Sequence, residues 1–216
     1  MHTKCLPPQC PKLLSQLCDV FQKYDFILAG GTALSLQLGH RISVDLDFVT
    51  ATLFSTEKIY REIKKAGLNP IVLQEEKGTL TLTINKIKVS LFHYPYPFFD
   101  EKKTWKGFSI AGVRDIAAMK VIAITQRGAK RDFIDLYFIL QNTPFWKIAE
   151  NMVRRFSKER INPMHIGKAL VYFDDAEVDP DPQYCGDKPP AWKDVKDFFT
   201  KNLQQMVIDL QRAKEG

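Results

Sequence analysis

The sequence lacks a long hydrophobic run, a secretory signal and a metal-binding cysteine pattern. Charged residues such as Lys120 and Lys147 interrupt its apolar stretches before they reach the roughly 18 to 20 residues that span a bilayer. The N-terminal stretch MHTKCLPPQCPKLL has prolines and polar residues where a signal peptide needs a continuous apolar segment. The four cysteines form no Cys-x-x-Cys pair and have no histidine at zinc-finger spacing. We therefore expect a cytoplasmic protein without membrane spans or a zinc finger.

The composition is typical of a globular protein with more basic than acidic residues. The chain has 216 residues, of which 45% are hydrophobic and 26% charged, and a net charge of +6. This length allows one large domain or two small ones with a core of their own. A basic balance suits an anionic partner such as nucleotide or RNA, although plain protein surfaces also carry modest positive charge.

The pattern of apolar residues changes near residue 112. Up to that point, alternating and helical periodicities predict an α/β (α+β) region. Its helices are expected at 11–24, 32–38 and 56–66, and its strands at 26–29, 44–49, 70–76, 79–84 and 87–92, before a connector at 93–108. Beyond it, the periodicity predicts only helices, at 113–127, 131–141, 144–156, 164–173 and 191–213. We therefore expect an α/β part over residues 1–112 and a helical part over residues 113–216.

The most informative motif is a glycine turn followed by two aspartates. Gly30 and Gly31 end a predicted strand, and Thr32 is placed to cap the next helix. Backbone N–H groups at such a helix start bind phosphates, and glycine has no side chain to block them. Asp45 follows thirteen positions after Thr32, and Asp47 lies two residues further, so both carboxylates point to one side of a predicted strand. An isolated pair of this kind is usually a solvated strand face, but together with the glycines it predicts a site for Mg²⁺ (or Mn²⁺) and a nucleoside triphosphate.

The segment GGTALSLQLGHRISVDLDF resembles the signature of the polymerase β-type nucleotidyltransferase superfamily, and specifically of its AbiEii-like toxin branch. Tracts similar to this branch continue through RDIAAMKVIAITQRGAKRDFIDLYFIL and LVYFDDAE. The resemblance covers much of residues 25–177. It implies a nucleotidyltransferase-type mixed sheet flanked by helices, whose helical C-terminal half completes the nucleotide site. The residues that match the superfamily pattern in order and spacing are Ala29, Gly30, Gly31, Asp45, Leu46 and Asp47.

A second candidate cluster lies in the helical half. Lys120 and Arg127 are seven residues apart and therefore share a helix face, and Arg131 can pair with Asp135 at i and i+4. Without the resemblance, these residues would be typical of a surface helix with intrahelical ion pairs. The resemblance implies that Lys120 binds the triphosphate, and that Asp132 or Asp135 orients that lysine or the acceptor hydroxyl. The residues alone leave the choice between the two aspartates open.

The chain departs from the superfamily pattern at Ser90. Many members have a third carboxylate on a later strand, and serine binds Mg²⁺ weakly through a neutral oxygen. Three explanations stay open: Glu75 or Glu76 supplies the acid, the chemistry uses fewer carboxylates, or the protein is inactive.

The function implied by the resemblance is Mg²⁺-dependent transfer of a nucleoside monophosphate from an NTP to an acceptor. The implied acceptor is RNA, at the 3′ end of a tRNA, and the implied partner is a cognate antitoxin. The alternatives are a silent nucleotide- or RNA-binding module and a transferase that modifies protein, including itself. Arg41 precedes the carboxylate strand, where it can reach a phosphate or belong to an exposed turn. The residues expected to bind the nucleotide are Gly30, Gly31, Thr32, Arg41, Lys120, Arg127 and Arg131.

Overall fold

The computed structural model describes residues 1–186 and 189–216. The chain divides into two compact units. Unit 1 contains Met1–Pro97 and Glu101–Ala111, and unit 2 contains Phe98–Asp100 and Gly112–Gly216. No helix of the described residues is both long and apolar enough to cross a membrane.

Unit 1 is built on a mixed β-sheet. The described residues form seven strands in the order β3-β4-β5-β2-β1-β7-β6. Strand β1 is antiparallel to β2 and parallel to β7, β2 is parallel to β5, and the remaining neighbours are antiparallel. In chain order the elements are α1 (Cys10–Gln22), β1 (Ile27–Ala29), α2 (Gly30–Leu38), β2 (Leu46–Thr50), α3 (Thr56–Lys65), β3 (Ile71–Glu76), β4 (Thr79–Ile84), β5 (Ile87–His93), β6 (Lys103–Trp105) and β7 (Phe108–Ile110).

The core of unit 1 lies on one face of this sheet. Leu46 and Phe48 of β2 are fully buried, and the ring of Phe48 meets that of Phe21 on α1 edge to face at 4.8 Å. Asp47 lies between them in sequence and is half-buried. Because successive side chains of a strand point to opposite faces, the apolar packing of β2 directs Asp47 to the other face of the sheet.

Unit 2 is helical. Its largest aromatic cluster surrounds Phe133, whose ring lies 5.2 Å from that of Phe173, 6.0 Å from Trp192 and 5.5 Å from Phe199. The helices are α4 (Val113–Arg127), α5 (Lys130–Leu140), α6 (Phe145–Phe156), α7 (Pro163–Leu170), α8 (Asp174–Glu177) and α9 (Trp192–Glu215). Gly128 ends α4 with a φ of +54°, a conformation in which glycine avoids the strain of other residues.

The segment Phe98–Asp100 belongs to unit 2 because a buried aspartate holds its backbone. Asp115 on α4 accepts hydrogen bonds from the N–H groups of Phe99 and Asp100 at 3.1 and 2.9 Å. The same carboxylate pairs with the buried Arg155 at 3.0 Å, whose guanidinium lies 4.2 Å from the centre of the Phe98 ring. Arg155 and the two backbone N–H groups thus compensate the buried charge of Asp115.

The expected fold class is confirmed, because a mixed sheet flanked by helices is followed by a helical part. Two local predictions were wrong. The strand expected at 44–49 begins only at Leu46, and Val44 is 56% exposed. The connector expected at 93–108 contains β6, and β7 begins at its last residue. These strands have three residues each, and β7 is ordered by parallel pairing with β1, a long-range contact that local periodicity does not reveal.

Candidate functional site

The glycine turn and the second aspartate of the motif meet at the end of β1. Ala29 of β1 is paired with Asp47 of β2, and the chain then turns into α2 at Gly30 with a φ of +64°. A Cβ atom on Gly30 would lie 2.8 Å from Asp47 Oδ2. Both the backbone conformation and the close approach of the carboxylate therefore require glycine at this position.

Gly31 makes room for a different side chain. A Cβ atom there would lie 2.5 Å from Arg41 Nη2 and 3.1 Å from Ser43 Oγ. Arg41 is only 5% exposed, so the exposed turn considered for it was wrong. The structure brings this guanidinium to the first turn of α2, where backbone N–H groups without partners in the helix also lie.

The Thr32 hydroxyl does not cap the helix as expected but makes a different contact. The N-cap of α2 is Ala29, and the Thr32 hydroxyl instead donates a hydrogen bond to the backbone carbonyl of Asp45. The same hydroxyl lies 2.9 Å from Ser43 Oγ. The prediction of a capping role was wrong, because the helix already begins at Gly30. The contact instead ties the segment before β2 to α2 and so fixes the position of Asp45.

The two carboxylates flank the start of β2. Asp45 immediately precedes the strand, and both Asp45 and Asp47 are half-buried. Within the ranges that the structure covers, no hydrogen bond or ion pair engages the Asp45 side chain. Ser90 is the neighbour of Asp47 on the parallel strand β5, about 4.8 Å away. The structure therefore places Ser90 beside Asp47, where a third acid would extend the pair.

Neither of the glutamates considered as replacements can fill that place. Both lie on β3, which β4 and β5 separate from β2, so three strand spacings of about 4.8 Å intervene. Glu75 is moreover in register with Leu80, on the apolar face of the sheet. Glu76 is paired with Thr79 near the outer end of the sheet. The suggestion that Glu75 or Glu76 supplies the third acid was wrong.

A divalent cation fits the residues that are present. No group of three or more His, Cys, Asp and Glu side chains in the described part of the chain is arranged to hold a metal ion. Mg²⁺, however, usually binds one or two carboxylates and completes its octahedron with waters and substrate phosphates. Asp45 and Asp47 supply two carboxylates beside a glycine turn that leaves space for phosphates. This donor set suits Mg²⁺ bound together with a nucleotide rather than alone.

Unit 2 contains the second predicted cluster. Lys120 Nζ lies 2.7 Å from Asp132 Oδ1 and 2.6 Å from Asp135 Oδ2. Arg127 donates from Nε to Asp132 Oδ2 at 2.8 Å and from Nη2 to Oδ1 at 3.1 Å. Both aspartate side chains are completely buried, and the Lys120 side chain is 7% exposed. The interpretation as a surface helix with intrahelical ion pairs was therefore wrong.

The electrostatics of this cluster favour charged side chains. Burial alone would raise the pKa of Asp132, but Lys120 and Arg127 outweigh it and hold that pKa below its ordinary value. Both aspartates contact the lysine, so its position depends on each of them. Arg131 lies on the exposed side of α5. Its expected pairing with Asp135 was wrong, because Asp135 is buried against Lys120.

Sequence reasoning missed Ser43, which touches both Thr32 and the space above Gly31. The sequence feature that indicates Ser43 is its position two residues before Asp45, in the alternation Ser-x-Asp-x-Asp. A neutral hydroxyl in that series gave no reason to single it out, because serine is common in loops.

The family model for the nucleotidyl transferase AbiEii toxin of type IV toxin–antitoxin systems matches residues 12–100 and 107–212. The chain belongs to the AbiEii toxin family. A relative from Aquifex aeolicus (strain VF5), an uncharacterized protein, is 39% identical over 188 residues, which cover 85% of this chain and 88% of that protein.

Two solved structures share the fold of this AbiEii family member. JHP933 from Helicobacter pylori has a TM-score of 0.57 and 18% identity, with 97% of each chain covered. MenT4, a nucleotidyltransferase toxin from Mycobacterium tuberculosis H37Rv, has a TM-score of 0.57 and 15% identity, with 94% of this chain and 86% of that chain covered. Together, the AbiEii family and the fold indicate nucleotidyltransferase activity.

Proposed function

We propose that this AbiEii family member transfers a nucleoside monophosphate from an NTP to the 3′ end of an RNA, with tRNA as the acceptor, and releases pyrophosphate. The observation that carries the proposal is the close approach of Asp47 Oδ2 to the space above Gly30, with Asp45 alongside. Acids beside a phosphate-binding turn can join metal and triphosphate in one site.

The first turn of α2 binds the phosphates of the NTP. Backbone N–H groups at Gly30, Gly31 and Thr32 face the ligand, and the positive end of the helix dipole favours its negative charge. The buried guanidinium of Arg41 adds a full positive charge next to Gly31. These groups orient the α-phosphate and stabilise the charge that develops on it.

Asp45 and Asp47 hold Mg²⁺ or Mn²⁺. When bound, the ion neutralises phosphate charge and lowers the pKa of an attacking hydroxyl. The half-buried position of both acids limits competition from water. The Thr32 hydroxyl keeps the Asp45 backbone in place, so the pair is organised before the ligand arrives.

The reaction is an in-line displacement at the α-phosphorus. The 3′ hydroxyl oxygen of the acceptor forms a new bond to this phosphorus, while the bond to the oxygen that bridges to the β-phosphate breaks. The bridging oxygen leaves with the electron pair as part of pyrophosphate, and the hydroxyl proton passes to water. The chain supplies position and electrostatic stabilisation, which account for most catalysis in phosphoryl transfer.

The basic groups of unit 2 form a second phosphate-binding cluster in this proposal. Asp132 and Asp135 fix the ammonium group of Lys120, and Lys120 and Arg127 bind nucleotide phosphate. The Arg127 side chain is 53% exposed and is therefore accessible to a ligand. Arg131 adds a further exposed positive charge on α5. In this role Asp132 and Asp135 are positioning residues, because they act through the lysine.

RNA as acceptor and a toxin role are supported by charge and by family. The net charge of +6 favours a polyanionic partner, and the AbiEii family is named for toxins of toxin–antitoxin systems. We propose that the protein acts in the cytoplasm, where modification of tRNA blocks translation, and that a cognate antitoxin accompanies it.

A second candidate function is a silent nucleotide- or RNA-binding module. Ser90 favours it, because it occupies the place beside Asp47 and no glutamate of β3 replaces the acid. Such a module keeps its ligand affinity when the carboxylates are neutralised, whereas the transferase loses turnover.

The deciding experiment follows label from each of the four NTPs, labelled at the α-phosphate, into total tRNA or protein in the presence of Mg²⁺ or Mn²⁺. The test variant is Asp45→Asn/Asp47→Asn. The matched control is Glu75→Gln/Glu76→Gln, which removes the same charge from the exposed strand β3.

Label on RNA that is lost in the test variant and kept in the control supports the proposal and identifies the nucleotide. Label on the polypeptide would replace RNA by a protein acceptor. If no label moves while nucleotide or RNA still binds, the silent module takes the place of the transferase.

A further inference from the structure

The hairpin formed by β4 and β5 adds a basic surface next to the aspartates of unit 1. Residues 79–93 contain two lysines, Lys86 and Lys88, and no acidic residue. Both lysines are exposed, and within the described ranges no hydrogen bond or ion pair engages either side chain. The hairpin therefore presents two positive charges that no acid of the described residues neutralises.

Lys88 lies on the same face of the sheet as Asp47. The parallel pairing of β2 with β5 makes Ser90 the neighbour of Asp47, and successive side chains of a strand alternate between the two faces. Val89 is fully buried and belongs to the apolar face, so Lys88 and Ser90 share the opposite one. Extension of the same register by one residue places Lys88 beside Asp45, at one strand spacing of about 4.8 Å.

The directions of the strands align these groups along one edge of the sheet. Strand β1 is antiparallel to β2, and β5 is parallel to β2, so the end of β1 lies at the same edge as the starts of β2 and β5. Gly30 therefore lies on one side of Asp45 and Asp47, and Lys88 lies on the other. The glycine turn and the basic hairpin flank the proposed metal site from opposite sides.

An in-line displacement assigns different roles to these two sides. In the proposed reaction the glycine turn holds the triphosphate, and the attacking hydroxyl approaches the α-phosphorus opposite the leaving pyrophosphate. The side opposite the glycine turn is that of β5. A divalent ion on Asp45 and Asp47 would neutralise their charges, so the lysines of the hairpin would give this side a positive excess. Such an excess attracts the phosphodiester backbone of a nucleic acid.

The strand on the far side of Lys88 provides a neutral neighbour. Thr83 on β4 is paired with Lys88 and is half-buried. Directly paired residues lie on the same face of a sheet, so the Thr83 hydroxyl lies on the face of the lysine. Hydroxyl and ammonium groups are common donors to phosphate and sugar oxygens in nucleic-acid complexes. This part of the face therefore suits an RNA backbone.

We propose that the β4–β5 hairpin binds the acceptor RNA through the phosphodiesters next to its 3′ end. Lys88 contacts the phosphate nearest the reacting hydroxyl, and Lys86 contacts a phosphate further from it. These contacts position the 3′ hydroxyl without reading the base sequence. The inference rests on the proposed function, because it assigns the side from which the acceptor reaches the NTP.

The test measures binding of a short single-stranded RNA, labelled at its 5′ end, with Mg²⁺ but without NTP, so that no transfer takes place. Lys88→Gln is expected to weaken binding about two- to fivefold, the share of one exposed phosphate contact. Lys86→Gln/Lys88→Gln should weaken it by roughly the product of the two single effects. Binding of each NTP with Mg²⁺ is measured in parallel and should not change.

The matched control is Lys58→Gln, which removes the same charge from an exposed position on α3. Helix α3 is joined to the α1 side of the sheet by the ion pair between Glu62 and Lys23 at 3.0 Å. Lys58 is therefore remote from the face of Asp47, and its variant should bind RNA like the wild type. Thermal unfolding of each variant verifies that these surface changes leave the fold intact.

A neutral phosphate in the RNA locates the contact along the strand. A methylphosphonate in place of the phosphodiester nearest the 3′ end should weaken binding to the wild type by about the same factor as Lys88→Gln. The Lys88→Gln protein should bind this RNA and the unmodified RNA equally, because the contact is already lost. A methylphosphonate near the 5′ end should leave the difference between the two proteins unchanged.

RNA affinity that stays the same in Lys88→Gln and in the double variant overturns the inference. So does a loss of NTP affinity in place of RNA affinity, because the hairpin would then hold the triphosphate. Wild-type protein that binds no RNA also overturns it. If the variants bind RNA more weakly while the wild type labels no RNA, the proposed reaction fails but the RNA site stands.

Discussion

Replacement of Lys120 by methionine removes the positive charge between two buried aspartates. Methionine keeps the length of the side chain, so the change is mainly electrostatic. Asp132 retains two hydrogen bonds from Arg127, whereas Asp135 loses its 2.6 Å ion pair with the lysine. Removal of one partner from a buried ion pair typically costs about 3–5 kcal/mol, because the other charge stays buried without compensation. We expect a loss of that size in the free energy of unfolding at pH 7.

The loss should depend on pH in a defined direction. In the wild type the pKa of Asp132 is lowered, so its contribution to stability is present above the ordinary value near 4 and disappears as the pH falls through the lowered pKa. In the variant, only Arg127 opposes the effect of burial on the pKa of Asp132. The folded variant therefore binds protons at a higher pH than the folded wild type. Its stability therefore decreases less on acidification, and the curves of wild type and variant converge as the pH falls below about 4.

Urea unfolding at pH 7 and at about pH 3 measures both effects. The control is Lys130→Met, because Lys130 is also buried but its partner Asp181 is 75% exposed and can be rehydrated. That variant should lose only about 0–1 kcal/mol from its ion pair. A loss below about 1 kcal/mol in Lys120→Met, or a difference from wild type that does not shrink at low pH, would refute the electrostatic account of the cluster.

The remaining predictions concern the aspartate site of unit 1. Gly30→Ala should abolish label transfer and lower stability, because its φ of +64° is strained for alanine and its Cβ would lie 2.8 Å from Asp47 Oδ2. Gly67→Ala shares the positive φ but has no atom within 4 Å of the new Cβ, so it should show the backbone strain alone, about 1 kcal/mol in chemical unfolding. Without metal, Ser90→Asp should lower the midpoint of thermal unfolding, because the new carboxylate lies beside that of Asp47. Mg²⁺ or Mn²⁺ should raise the midpoint of this variant more than that of the wild type. An equal metal response in both proteins would speak against Ser90 as the third ligand position.

Most of the fold follows from local patterns in the sequence. Helix α4 ends at Arg127 as expected, because Gly128 provides the left-handed residue that terminates it. The strands expected at 79–84 and 87–92 leave only Asn85 and Lys86 for the turn between β4 and β5, and both residues have positive φ angles, as a two-residue type I′ hairpin turn requires. The strands β6 and β7 escaped prediction because three residues are too short for a periodic signal.

The candidate site was predictable in its residue types but not in all of its contacts. The spacing of glycines and aspartates indicated a phosphate and metal site, since each residue type has few other uses in that pattern. Burial of Arg41 against Gly31 and the hydrogen bond from Thr32 to Asp45 depend on tertiary packing, which spacing does not encode. Similarly, i and i+4 spacing suggested an Arg131–Asp135 pair, but the helix faces turn Asp135 inward to Lys120.

The two carboxylate clusters differ in how their charge is compensated, and this difference bears on ligand binding. Asp132 and Asp135 are buried, and two basic side chains balance them. Asp45 is half-buried, and the described residues provide no partner for its side chain. A carboxylate held away from water without a counter-charge is costly, so a cation that binds there stabilises the folded state by mass action. Thermal unfolding of the wild type should therefore shift upward with Mg²⁺ or Mn²⁺, and Asp45→Asn should remove most of that shift while the metal-free variant unfolds at the same temperature as the wild type or at a higher one.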